Sequence, residues 1–142
     1  MERLAVAAVL VVVAAAVAAV LRRRRPAPPT QSRYAVPTQL DRHDFADPPR
    51  PWLVVVFTSA TCDSCRDAVA KAKVLASPAV AYQEAAWQDR KDLHDRYAVE
   101  VVPLTLMVDA DGVVQASFIG ATTATDLWAA LAAARDGTSP PC

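Results

Sequence analysis

Residues 54–65 read Val-Val-Val-Phe-Thr-Ser-Ala-Thr-Cys-Asp-Ser-Cys. The apolar part starts earlier, at Trp52, and runs Trp-Leu-Val-Val-Val-Phe over 52–57 without a polar residue. An unbroken run of this length predicts a strand covered on both faces, in the middle of a sheet. Residues 58–61 break the run. A helix is expected from 62 or 63 to about 76: Val69, Lys73 and Ala76 fall near helical spacing, and Ala68, Ala70 and Ala72 favour the conformation. Ser77-Pro78 should stop it. Cys62 and Cys65 therefore lie where a buried strand gives way to a helix.

That placement has chemical meaning. Residues i and i+3 on a helical turn are close enough for a disulfide. The positive end of a helix favours negative charge, which stabilises a thiolate at Cys62. A thiolate with a second thiol beside it attacks a disulfide and is then released by its neighbour. Two other readings stand beside this one. Half of a zinc site would need further ligands, and only the widely scattered Cys142, His43 and His94 remain. A structural, non-redox pair is the other.

Working outward, residues 36–40 form a short possible strand. Residues 41–45 are polar apart from Phe45, and suit a short helix. Residues 47–51 hold three prolines and read as a loop. After the first helix, residues 80–86 suit a strand and 89–97 a helix. Residues 104–108 form another apolar strand, and Asp111-Gly112 predicts a hairpin into 113–119. Residues 125–135 give the last helix, with Leu127, Leu131 and Ala134 on one face and Gly137 suited to the position after its end. The order β-α-β-α-β-α-β-β-α predicts an α/β domain, a mixed central sheet with helices on both faces. Trp52, Trp87 and Trp128 lie in apolar segments and are expected in the core.

The chain has 142 residues, room for one domain. The formal net charge is zero, which argues against a nucleic-acid binder, and 54% apolar content argues against disorder. The charge is unevenly placed. Residues 1–33 carry six Arg and one Glu, a net of +5; residues 34–142 carry nine Lys or Arg and fourteen Asp or Glu, a net of −5. Residues 4–21 are 18 consecutive Leu, Val or Ala. As a helix they span about 27 Å, close to a hydrocarbon core of about 30 Å. A buried core helix is the bland alternative. A cleaved signal peptide is the stronger rival, but it carries its basic residues before the apolar run. Here only Arg3 precedes it, offset by Glu2, while Arg22, Arg23, Arg24 and Arg25 follow. One uncleaved N-terminal transmembrane helix over 4–21 is the expectation. Arginines beside a span are retained on the cytoplasmic side, which places residues 22–142 inside. An anionic-lipid or nucleic-acid patch is the other reading of this cluster. Residues 22–33, with Pro26, Pro28 and Pro29, read as an extended linker to a domain over 34–142.

Val102-Pro103 is the second piece of the site. Proline belongs at the start of a strand, and this bond takes either isomer on a sequence reading. In context the pieces resemble the thioredoxin family. Residues 54–65 resemble its second strand and active-site turn. Residues 97–112, Tyr-Ala-Val-Glu-Val-Val-Pro-Leu-Thr-Leu-Met-Val-Asp-Ala-Asp-Gly, resemble its approach to a cis-proline and the following hairpin. Phe118-Ile-Gly-Ala is similar to the end of its last strand. The three motifs stand in order at family spacing, over essentially 34–142.

The resemblance implies thiol–disulfide exchange without a cofactor or metal. Cys62 would be the exposed nucleophile and Cys65 the buried resolving thiol. Thr61, Val102, Pro103 and Gly120 would line the substrate groove, with the Val102 backbone offering hydrogen bonds to an extended substrate. Partners would be a disulfide-bearing protein and a redox partner. Departures are visible. Thr61 stands for the family's Trp, Asp63-Ser64 for its Gly-Pro, and Val56 for its buried carboxylate. Asp63 disfavours a thiolate at Cys62, and Arg66 favours it. Many anchored relatives work outside the membrane, against the inward orientation of the arginines. A non-catalytic adaptor and a redox sensor are the competing functions. Cys142 reads as a tail thiol; an intermolecular partner or an auxiliary redox thiol is the alternative.

Overall fold

The computed structural model describes residues 34–45 and 50–137, together with Val13. The chain separates into units 1–30 and 31–142, and the strands and helices named here all belong to the second. A 3-10 turn at Arg42–Asp44 comes first. Then come β1 (Trp52–Thr58), α1 (Cys65–Lys73), β2 (Val80–Ala86) and α2 (Lys91–Arg96). The chain ends with β3 (Leu104–Val108), β4 (Val114–Ile119) and α3 (Ala124–Arg135). The sheet order is β2-β1-β3-β4. β1 pairs parallel with β2 and antiparallel with β3, and β3 pairs antiparallel with β4. The sheet is mixed because α1 carries the chain back to start β2 beside the start of β1, while a hairpin joins β3 to β4.

β1 is central, and Leu53, Val54, Val55, Val56 and Phe57 are all buried. Alternation splits them between two cores. Leu53, Val55 and Phe57 pack with Leu40, Phe45, Leu93 and Leu106 on one face. Val54 and Val56 pack with Ala68 and Ala72 of α1 and with Leu127 and Leu131 of α3 on the other. Helices thus cover both faces, as the element order predicts. On α3 the expected stripe of Leu127, Leu131 and Ala134 is the buried one.

Several boundaries differ from expectation. Residues 36–40 make no full strand: Gln39 bridges Val113, Leu40 N–H donates to Gly112 O at 2.8 Å, and Val114 N–H donates to Thr38 O at 2.9 Å. The segment is tied to the hairpin at one point. α1 ends at Lys73 because its next amides turn tighter: Leu75 N–H donates to Ala72 O and Ala76 N–H to Lys73 O, both i→i−3. α2 is one and a half turns rather than nine residues.

The hairpin turn is built around Asp109, whose Oδ1 accepts from the Asp111 and Val113 amides at 2.9 Å each. Gly112 sits there at φ +84°. Across the molecule, Tyr97 Oη donates to Asp44 and accepts from the Asp41 amide at 2.9 Å, closing the 3-10 turn onto the end of α2. Burial, then the Asp44 contact, raises the Tyr97 phenol.

The tryptophans correct the sequence reading. Trp128 is 52% and Trp87 39% exposed, and Trp52 is half-buried at a strand end. Trp128 follows Leu127 on α3, so a turn of about 100° carries it off the buried stripe. Trp87 lies past the end of β2, edge-on to His94 with Lys91 Nζ over its ring.

Tyr82 faces the α1 side, and its hydroxyl is buried without a hydrogen-bond partner among the described residues. Burial, then the charge of Glu84, pushes its pKa up to about 12. A raised phenol binds its proton more tightly in the folded state. Its contribution to stability is therefore full below pH 10 and lost as pH rises through about 12. Tyr82→Phe is expected to change stability by under about 1 kcal/mol at pH 7. It should flatten the alkaline loss between pH 10 and 12, which denaturant melts at each pH would read.

Among the described residues no helix is long and apolar enough to cross a membrane. The apolar run 4–21, apart from Val13, lies outside the described residues, as do the linker 22–33, residues 46–49 and Cys142.

Candidate active site

β1 ends at Thr58, where the apolar run ends, and the chain turns through 59–64 before α1 starts at Cys65. Cys62 is therefore in the turn ahead of the helix, not on it. Its amide donates to Ser59 O, and its carbonyl accepts from the Cys65 amide, at 3.2 Å each. These two bonds coil the turn and bring the cysteines together, with Cα atoms 5.4 Å apart and the Cys62–Cys65 disulfide formed. Cys62 is half-buried with its Sγ 3.7 Å from Ser64 Oγ, while Cys65 is 5% exposed. The asymmetry comes from α1 itself. Cys65 lies one turn before Ala68 and shares its buried face; Cys62 precedes the helix and opens to solvent.

A cavity of about 450 Å³ adjoins the disulfide. Both cysteines line it, with Asp63 and Arg66 beside them, Thr58 at the end of β1 and Glu84 from β2. Thr58 Oγ1 donates to Glu84 Oε1 at 2.7 Å. Glu84 is paired with Val56 across the parallel β1–β2 ladder, so both side chains leave the same face of the sheet, the α1 face. The position without a carboxylate is thus next to one that has it. Sequence reading had no hold on Glu84. It lies nineteen residues past Cys65 in a strand of mixed polarity, and only the strand register places it at the site.

The other expected site residues lie in the turn and around the start of β3. The Val102-Pro103 bond is cis, and Pro103 is buried at the entry to β3. Gly120, at φ +78°, donates its amide to Pro103 O at 2.8 Å. Thr61 is exposed in the turn and Val102 is half-buried. None of these four lines the cavity. His94 is buried between Phe57 and Trp87, its Nε2 2.8 Å from Ala85 O, and His43 is exposed beside Asp41.

No protein-family model and no curated protein sequence matches the chain. Solved structures do. Thioredoxin of Fasciola hepatica is similar at 25% identity with a TM-score of 0.51, over 58% of this chain and 79% of its own. The chain belongs to the thioredoxin-like superfamily. Other solved members of that superfamily show the same fold at lower identity. The short form of thioredoxin f from spinach chloroplast aligns over 72% of this chain and 98% of its own, at 19% identity and a TM-score of 0.53. Mitochondrial thioredoxin 3 of Saccharomyces cerevisiae, in its oxidized form, aligns over 59% and 79%, at 22% identity and a TM-score of 0.50. A Cys-x-x-Cys disulfide at the strand-to-helix turn of a thioredoxin-like domain supports thiol–disulfide oxidoreductase chemistry.

Proposed function

We propose that this chain is a membrane-anchored oxidoreductase that exchanges disulfides with partner proteins through Cys62 and Cys65. The observation that carries the reading is the asymmetry of the pair: a disulfide between an accessible Cys62 ahead of a helix and a buried Cys65 on its first turn. In the reduced state Cys62 is the nucleophile, since the helix end favours its thiolate and solvent reaches it. It attacks a substrate sulfur to give a mixed disulfide. Cys65, held within bonding distance, displaces the substrate and closes the intramolecular disulfide. Its local concentration is set by the fold, so resolution outpaces attack by any external thiol.

Thr61, Val102, Pro103 and Gly120 form the substrate-binding groove in this reading. Its support is the bond from the Gly120 amide to Pro103 O, which ties the start of β3 to the end of β4. Val102 contributes its backbone to an extended substrate segment. Residues 4–21 anchor the domain, residues 22–33 hold it off the bilayer, and Arg22, Arg23, Arg24 and Arg25 keep it on the cytoplasmic side.

Turnover of a self-quenched peptide disulfide, with a dithiol as reductant, tests the exchange. The expected result is catalytic release that depends on both cysteines. A domain that holds a partner equally well with both replaced by serine would be an adaptor, and the reading would fail. Slow, reversible oxidation without turnover would make it a sensor. Anchoring is tested apart: the full chain is expected to stay with membranes through alkaline carbonate washing, and deletion of residues 1–33 to release it. A reporter fused after Cys142 should be active only inside the cell; activity confined to the outside would reverse the orientation.

A further inference from the structure

We propose that the outer face of α3 is a self-association surface that pairs two copies of this chain about a two-fold axis. From 127 to 134 the helix reads Leu-Trp-Ala-Ala-Leu-Ala-Ala-Ala, without a polar side chain. Leu127, Leu131 and Ala134 take the buried side. The side turned to solvent carries Thr125, Trp128, Ala129 and Ala132, with Arg135 at its end. The other two helices differ. α1 presents Arg66, Asp67 and Lys73 to solvent, and α2 presents Lys91, Asp92, Asp95 and Arg96. A helix on the surface of a domain normally carries its charges outward, and one that is apolar all round is covered all round.

This strip is complementary to itself. Trp128 and Arg135 are about two turns apart, so both side chains leave the same edge of the helix, roughly 10 Å from one another along its axis. Trp128 is 52% exposed, and Arg135 is exposed with no ion-pair or hydrogen-bond partner among the described residues. Two α3 helices set antiparallel, with the two-fold axis beside Ala132, place Trp128 of each copy against Arg135 of the other. The result is two cation–π contacts across one axis, the isologous pattern of a closed dimer. Ala129 and Ala132 lie between them, and side chains this small bring two helices to the short end of the interaxial range of about 8–10 Å. A bilayer fits the face less well. Residues 34–142 carry nine Lys or Arg against fourteen Asp or Glu, a net of −5 that an anionic surface repels. The strip is about 18 Å long and offers much less than the ~800 Å² per partner of a standard stable interface. Pairing is therefore weak between free chains and strengthens where chains share one membrane, the setting that the anchored reading gives them. None of the residues lining the cavity lies on α3, so pairing and exchange are separate properties.

Oxidative cross-linking of the full chain in phosphatidylcholine vesicles tests this. With Cys62→Ser, Cys65→Ser and Cys142→Ser in place, an added cysteine is the chain's only thiol. Ala132→Cys, beside the axis, is expected to give a covalent dimer about tenfold faster than Lys73→Cys on the outer face of α1. Trp128→Ala or Arg135→Gln, added to Ala132→Cys, should each bring the rate down to that of Lys73→Cys, and the two together should bring it no lower. Arg135→Lys keeps the cation and should keep most of the rate. Trp128 and Arg135 are exposed, so thermal melts of these variants should match the parent's. The same ranking is expected in buffer at higher chain concentration, so failure of the anchor does not mimic failure of the pairing. Equal rates from Ala132→Cys and Lys73→Cys would overturn the proposal. So would quenching of Trp128 emission by brominated lipid, read as the difference from Trp128→Phe, since it would put the face on the bilayer instead.

Discussion

Cys62→Ser is expected to lower turnover of a disulfide substrate on the order of a thousandfold or more, down to the rate of the reductant alone. Serine has the size of cysteine, but its hydroxyl stays protonated near neutral pH and makes no bond to sulfur that the cycle can use. Cys65→Ser should fail differently. Cys62 still attacks, and the mixed disulfide with the substrate accumulates because nothing nearby displaces it. Mass spectrometry of the quenched reaction distinguishes the two. A Cys62→Ser chain that traps substrate, or a Cys65→Ser chain that does not, would reverse the assigned roles. Neither variant should cost the fold much. The disulfide joins residues only three apart, and such a short loop constrains the unfolded chain little.

The second large effect is on stability. Gly112→Ala is expected to destabilise the domain by about 3 kcal/mol or more. A Cβ there would stand 2.1 Å from Leu40 O and 2.7 Å from Gln39 Nε2, at φ +84°. The first clash is with backbone, and that backbone carbonyl belongs to the segment bridged to the hairpin. Gly137→Ala is the control. Its φ is +66°, but nothing lies within 4 Å of the added carbon, so only the conformational cost of about 1 kcal/mol remains. Denaturant melts of the two variants should therefore separate clearly; equal losses would show that Leu40 moves aside freely.

The parts of the fold legible in the sequence are those where local signals agree. β2 and β3 appear at their expected bounds because Ser77-Pro78 precedes the first, and Pro103 and Asp109 close off the apolar run of the second. β1 is legible for the same reason, and its two-sided burial follows from six apolar residues in succession. The misreadings occur where a local signal competes with packing. Residues 36–40 look like a strand, but their backbone makes a single bridge, to the hairpin turn, while Leu40 packs into the core. Trp128 looks like core by type, yet its place on α3 is set by Leu127 and Leu131. At the site, Cys62 and Cys65 are visible as a spaced pair. Glu84 is not, because its approach depends on the pairing of Val56 with Glu84 across two strands.

A redox titration of the full chain carrying Cys142→Ser, followed by thiol trapping and mass spectrometry, reads the exchange chemistry of the pair itself. One reversible two-electron couple, confined to Cys62 and Cys65, is the expected result. A midpoint near about −270 mV would mark a reductase and one near about −120 mV an oxidant. No Cys62–Cys65 disulfide at any accessible poise would rule out an oxidoreductase and leave an adaptor.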